Sequence, residues 1–327
     1  MVNKRFQKPL LWLILFLAFA LTSIVGPMPI LVLIILAVFC LYNFVMEVYI
    51  GMSFIVPGRR KTPYAMPGWT QHDIAYGEKS LRVVLSAQNE PSPLLILIHG
   101  WRSSSASVGD RGEWFAKRGW HVAIIELPSH GASDTVEMWT AYRSMQAIKA
   151  VCAQLHIVLP SDIVTSATYY GHSIGGFIGL RLLTDPGFTA SGRNMEALIL
   201  ESPMTMYSPI LDEISDRLKV PSFMMTAYRK RLIATFNATI PGGASFTSVD
   251  EFDLPKWGVP DVPVLCIQAD PDERLGMDHF NLLQSSYDHD AQKGLLTCHL
   301  LNGLSHAGAR VSAERNNLIE DWLTQKP

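Results

Sequence analysis

From Pro9 to Met46 the chain carries no charged residue, and beyond that stretch its apolar residues break into short runs separated by polar ones. As one helix the charge-free stretch would extend about 57 Å, nearly twice a hydrocarbon core of ~30 Å. Gly26-Pro27-Met28-Pro29 interrupts it, and its prolines cannot continue a helix. The pattern predicts a hairpin of two short spans, Leu10–Val25 and Ile30–Met46, each about 25 Å long. Lys4, Arg5 and Lys8 precede the first span, and Arg59, Arg60 and Lys61 follow the second. The positive-inside rule then puts both ends, and everything after residue 60, in the cytoplasm. A cleavable signal peptide is the rival reading, since Lys4-Arg5, an apolar run and Ala18-Phe19-Ala20 imitate its three regions. Cleavage would leave the second span and the same orientation. A hairpin buried inside a soluble protein is disfavoured because the apolarity runs all round the helix.

After a Pro- and Gly-containing connector the pattern changes. Strand-type runs at Leu81–Ser86, Leu94–His99, His121–Glu126, Ala167–Gly171, Ala197–Leu200, Val264–Ala269 and Leu296–Leu301 alternate with helix-type stretches. The helices are expected at Val108–Arg118, Val136–Leu155, Gly175–Leu183, Asp278–Tyr287 and Ala313–Leu323. Alternation of this kind predicts a mostly parallel sheet covered by helices on both faces. Between Pro203 and Pro260 the rhythm fails, leaving helix-like stretches rich in Met and aromatics, among them Met204, Met206, Phe223, Met224, Met225, Tyr228 and Phe236. An insertion of that size reads as a small helical lid. The expected organisation is an anchor over residues 1–50, a connector over 51–70, and a catalytic domain over 71–327 with its lid at about 204–257.

Composition narrows the function. Lys and Arg total 27 against 29 Asp and Glu, a net charge of −2, so no basic excess exists to neutralise nucleic-acid phosphates. The apolar fraction of 48% excludes a disordered chain. Cys40, Cys152, Cys266 and Cys298 show neither C-x-x-C spacing nor the density of a disulfide framework, and read as buried hydrophobes in a reducing compartment.

Chemistry is concentrated at Gly171-His172-Ser173-Ile174-Gly175, a Gly-x-Ser-x-Gly motif with a strand-type run before it and an apolar helix after it. The glycines permit the strained turn that lifts a serine Oγ clear of a sheet. A serine nucleophile needs a base, and the base needs an acid to orient it; in this arrangement acid and base follow the serine in that order. Of the later histidines His279, His289, His299 and His306, only His306 lies in a small-residue loop just past the last strand. It is the expected base. Asp270 and Asp272 both follow the strand ending at Ala269, and Asp272, beyond Pro271, is the preferred acid; Asp270 then reads as a turn residue bonding its own backbone. The oxyanion that forms on attack must meet fixed donors, here the backbone N–H of Ile174 and of Trp101 in His99-Gly100-Trp101. His99 reads as a brace for that loop.

At these residues the sequence resembles the α/β-hydrolase superfamily, in the serine-hydrolase branch that includes monoacylglycerol-lipase-like and serine-aminopeptidase-like members. The resemblance covers residues 94–310 and rests on four stretches: His99-Gly100-Trp101, Leu127–Asp134, Gly171–Gly176, and Asp272 with His306. The second is similar to a family stretch DxPGHGxSD, with Glu126 and Ser129 in place of its Asp and first Gly. Ala269 replaces the usual Gly before the acid, at unchanged spacing. The resemblance implies the α/β-hydrolase fold and acyl transfer to water with no metal or organic cofactor. Epoxide hydrolases and haloalkane dehalogenases of the fold carry an aspartate at the nucleophile position, so Ser173 argues against both. Proline iminopeptidases carry an oxyanion loop that His99-Gly100-Trp101 lacks.

The expectation is a membrane-anchored serine hydrolase with its catalytic domain on the cytoplasmic side, acting on esters or thioesters of small or lipid-like apolar acyl groups. Two rivals stand beside it. A peptidase on the same triad would need lid acids such as Asp212, Glu213 or Asp216 to hold a substrate ammonium. A non-catalytic membrane scaffold would have no use for an intact nucleophile, acid and base.

Overall fold

The computed structural model describes residues 4–25, 29–54, 56, 62, 64–240, 245–288, 292–307 and 311–325. The expected turn at Gly26-Pro27-Met28, the cations Arg59, Arg60 and Lys61, and His289 lie outside the described residues. Two apolar helices, α1 (Gln7–Val25) and α2 (Ile30–Ser53), open the chain. Next come β1 (Thr70–Tyr76), β2 (Lys79–Ser86), β3 (Ser92–Ile98), α3 (Gly109–Ala116), β4 (His121–Ile125) and α4 (Ala141–Ala153). The centre holds β5 (Val164–His172), α5 (Ile174–Leu182), β6 (Thr189–Ala190), β7 (Arg193–Glu201), α6 (Ser208–Arg217) and α7 (Met225–Ala238). The chain finishes with β8 (Val264–Asp270), α8 (Asp278–Ser286), β9 (Leu296–Asn302) and α9 (Ala313–Gln325).

The sheet runs in the order β1-β2-β4-β3-β5-β7-β8-β9, with β6 paired to β7 off that path. The β1–β2 and β2–β4 pairings are antiparallel, and every pairing from β4 to β9 along the path is parallel. All five residues of β4 are buried, which requires cover on both faces and explains why its sequence reads as a continuous apolar run. With its helices this is the α/β-hydrolase fold. The pattern missed β1. In Thr70–Tyr76 only Ile74 is buried, so this edge strand has no apolar periodicity to betray it. Helix α4 begins at Ala141, five residues later than expected.

Two compact units divide the chain. Pro57–Val136, Ala141–Met206 and Phe252–Pro327 form the sheet unit. Its core joins Leu95, Leu97, Val122, Ile124 and Ile199 of the strands to Phe115 of α3 and Ile319 of α9. The other unit gathers Met1–Val56, Glu137–Thr140 and Tyr207–Glu251. In it α1 lies antiparallel along α2, with Trp12 edge-on to Phe39 at 5.7 Å and Arg5 Nη1 donating to the Phe54 carbonyl at 2.9 Å. The second half of α2 packs on α6 and α7 through Met46, Ile50 and Phe54 against Val220, Met224, Tyr228 and Leu232. Met224 is thus a packing residue of this unit, and Met204 is buried in the sheet unit. Among the described residues one helix, Ile30–Ser53, is long and apolar enough to cross a membrane, and Gln7–Thr22 is a shorter apolar helix.

Candidate active site

Ser173 stands on the sharp turn between β5 and α5, at φ 54° and ψ −119°. Such a backbone is costly for a residue with a side chain and persists only where its surroundings hold it. They do so on both sides. Its N–H donates to the Glu201 carbonyl at 3.0 Å, and its carbonyl accepts from Gly176 at 2.9 Å and from Met204 at 3.1 Å. A Cβ at Gly171 would lie 2.5 Å from the Gly175 backbone, and one at Gly175 would lie 2.5 Å from the Ile98 carbonyl. Only glycine fits at either position.

His306 and Asp272 meet the serine from two loops beyond the parallel strands. Ser173 Oγ lies 3.0 Å from His306 Nε2, and His306 Nδ1 lies 2.9 Å from Asp272 Oδ2. Asp272 also accepts from Gln268 Nε2 at 2.9 Å and from the N–H groups of Arg274 and Leu275 at 2.9 and 2.8 Å. Burial would raise its pKa, but the bonds from His306, Leu275 and Arg274 outweigh it and hold the carboxyl down at about 2. An ionised carboxylate accepts only, so His306 Nδ1 donates to it and Nε2 faces the serine hydroxyl as an acceptor. Asp270, two residues earlier, ends β8 in register with Asn302. Of the other histidines, His299 lies within β9, and His279 is buried on α8.

The motif's own histidine had drawn no attention in the sequence, where it fills a variable position. His172 donates Nε2–H to the His306 carbonyl at 2.7 Å, so the residue beside the serine holds the loop that carries His306. Burial, more than the surrounding charges, lowers its pKa to about 4. His279 does similar work on the opposite flank: its Nδ1 accepts from the N–H of Thr205 at 2.8 Å, and burial lowers its pKa to about 4 as well. The Thr205 carbonyl in turn accepts from Leu254 N–H at 3.0 Å.

Behind Ser173 lies a buried ionic cluster. Arg111 clasps both oxygens of Glu201, with Nε at 2.6 Å from Oε2; Tyr170 donates to the same Oε2 at 2.5 Å, and Arg315 Nη1 lies 3.6 Å from Oε1. Burial opposes the charge on Glu201, but the Arg111 guanidinium, with Arg315, keeps its carboxyl well below the usual range. No spacing rule links residues 111, 170, 201 and 315. The available signal was a carboxylate closing an otherwise apolar strand end.

Ile174 opens α5, where N–H groups of the first turn have no intrahelical acceptor, and Trp101 sits in the turn after β3. Two family stretches brace that turn. His99 Nε2 accepts from Leu127 N–H at 3.1 Å, and His130 Nε2 accepts from Arg102 N–H at 3.1 Å. Glu126, in place of the family Asp, accepts from Ser105 and Ala132, and Ser129, in place of Gly, keeps the left-handed φ of 64°.

With this geometry in hand, residues 89–246 match the family model described as serine aminopeptidase, S33. The fold is that of the α/β-hydrolases, and the match supports a serine-type hydrolase. Among solved structures it is similar to an esterase from Pyrococcus furiosus at 14% identity and a TM-score of 0.59, covering 83% of this chain and 97% of that one. It is also similar to Est1E from Butyrivibrio proteoclasticus with ferulic acid bound, at 18% identity and 0.53, covering 78% and 98%. A third likeness is to an epoxide hydrolase from Vigna radiata, at 14% and 0.53, covering 80% and 100%. Identities this low speak for the shared fold alone. No curated protein matches the chain in sequence.

Proposed function

We propose that the protein hydrolyses carboxylic esters or thioesters of apolar acyl groups while held to a membrane by α1 and α2, with its catalytic domain on the cytoplasmic side. The observation that carries the chemistry is the hydrogen-bonded line from Ser173 Oγ through His306 to Asp272, at 3.0 and 2.9 Å. Ser173 Oγ attacks the acyl carbon as His306 Nε2 takes its proton. The N–H groups of Ile174 and Trp101 receive the oxyanion. Collapse breaks the bond to the leaving alcohol or thiol, which departs with the proton from His306. Water, deprotonated by the same imidazole, then cleaves the acyl-serine. Asp272 keeps the imidazole in one tautomer and stabilises its charged form. The charge-free run Pro9–Met46 and the cations flanking it support the anchor and its orientation.

The peptidase reading is weakened by the partners of the acids in the Tyr207–Glu251 excursion. Asp212 pairs with Arg229 at 2.7 Å and Glu213 with Arg217 at 2.5 Å, so two of the three carboxylates named for that role already have cations. A fluorophosphonate probe tests the enzyme itself: wild type is labelled, and Ser173→Ala is not. On a panel of acyl esters, acyl thioesters and aminoacyl amides, turnover is expected on the first two classes. Turnover confined to amides would replace the ester reading with the peptidase one.

A further inference from the structure

Apolar surface on the two amino-terminal helices is unevenly distributed. On α2, Leu31, Ile34, Ile35, Val38, Phe39 and Leu41 are exposed, whereas from Tyr42 onward one face of the helix packs against α6 and α7. On α1 the exposed apolar residues run from Leu10 to Leu21. Each exposed stretch spans about 18 Å at ~1.5 Å per residue, against a hydrocarbon core of ~30 Å.

Polar chemistry marks where the packed half begins. Arg231 of α7 bonds Asn43 at 2.7 Å and Glu47 at 3.2 Å, and Tyr228 shares a hydrogen bond of 2.7 Å with Ser53. The outer faces of α6 and α7 expose Asp212, Asp216, Arg217, Arg229 and Lys230. Charges of this density stand in water or among headgroups, so α2 must leave the hydrocarbon at about Tyr42. The opposite end tells the same story. From Ile24 to Ile30 the sequence holds no charge or strongly polar side chain that would favour emergence into water on the far side.

We propose that α1 and α2 form a wedge seated in one leaflet, with Thr22 and Ile30 inside the hydrocarbon, and that α6 and α7 lie at headgroup level on the side where the hairpin enters. The partner of this surface is therefore a phospholipid bilayer met from one face, and the exposed Phe223 between α6 and α7 stands at headgroup level on the side where the hairpin enters. The proposal rests on the membrane-anchored reading above and replaces its two crossings by none. It also makes the excursion a neighbour of the lipid that supplies an acyl substrate.

The test uses the full chain with Thr22→Cys, Ile30→Cys or Phe223→Cys, reconstituted into vesicles of phosphatidylcholine and phosphatidylglycerol. Fluorophosphonate labelling verifies folding, and protease sensitivity verifies that the catalytic domain faces outward. A membrane-impermeant maleimide is added outside or trapped inside, and labelling of the parent chain is subtracted. The wedge predicts that positions 22 and 30 resist the reagent from both sides until detergent is added, while position 223 reacts from outside. Reaction of 22 or 30 with lumenal reagent would overturn the wedge in favour of a crossing hairpin and leave the anchor standing. Reaction of these positions from outside would place them out of the bilayer and also overturn it. Failure of the parent chain to float with the vesicles would remove the anchoring reading itself.

Discussion

Asp272 and Asp270 are two residues apart and chemically identical, yet only Asp272 accepts from the imidazole of His306. Its carboxylate is further fixed by Gln268, Arg274 and Leu275. Asp272→Asn would present an amide to Nδ1 and favour the wrong tautomer of the base, a loss approaching ~10⁴ in turnover in a well-studied triad. Asp270→Asn disturbs only the end of β8 and is expected to cost about tenfold or less. Steady-state kinetics beside thermal unfolding decide it; a larger loss for Asp270→Asn in folded protein would exchange the assignment. The choice between the two was legible because Pro271 separates a residue still in the strand from one beyond it. Ser173 and His306 were legible for a similar reason: each occupies a glycine-containing turn next to a strand end. His172 and the cluster of Arg111, Tyr170, Glu201 and Arg315 were not, because their partners lie up to 134 residues away and no local pattern encodes such pairings.

Among the elements, strands with cover on both faces were the easiest to read and the edge strand the hardest, since β1 buries only Ile74. The excursion was visible as a break in alternation, but its packing against α2 was not, since a Met-rich helix reads alike whether it lines a substrate site or fills a core. Met224 fills a core. That makes the polar contacts of α7 the better handle on this unit. Tyr228→Phe removes one buried hydrogen bond, worth about 1 kcal/mol. Arg231→Leu leaves Glu47, 13% exposed, without its cation, and is expected to cost more, about 2–3 kcal/mol. Limited proteolysis in detergent is the measurement: cleavage between residues 207 and 251 should accelerate modestly in the first variant and strongly in the second. Unchanged cleavage in both would mean that the apolar cluster alone holds α7 to α2.

At the scale of the whole molecule, two buried histidines make an acid-sensitive sheet unit. His172 and His279 titrate at about 4 when folded, against about 6.5 for an exposed imidazole, with burial as the leading cause in each. Burial keeps both neutral in the fold, and His279 Nδ1 has in addition to accept from Thr205. Between pH 6.5 and 4 the unfolded chain therefore binds protons that the folded chain refuses. Stability is full above about 6.5 and falls as pH drops, by up to ~1.4 kcal/mol per pH unit for each group. Asp272 acts in a different window, because its pKa is depressed to about 2; the stability it contributes is present above about 4 and is lost only as pH falls toward 2. Two histidines together approach ~3 kcal/mol per pH unit, a large share of a typical 5–15 kcal/mol. Thermal unfolding of the full chain in detergent should accordingly show a melting temperature that is flat from pH 8 to 7 and declines steeply from 6 to 4.5. His279→Gln should flatten that decline by about half, since glutamine does not titrate, even if the variant melts lower at pH 7.5. A wild-type decline that begins only below pH 4 would assign acid lability to carboxylates such as Asp272 and remove the histidines from the account.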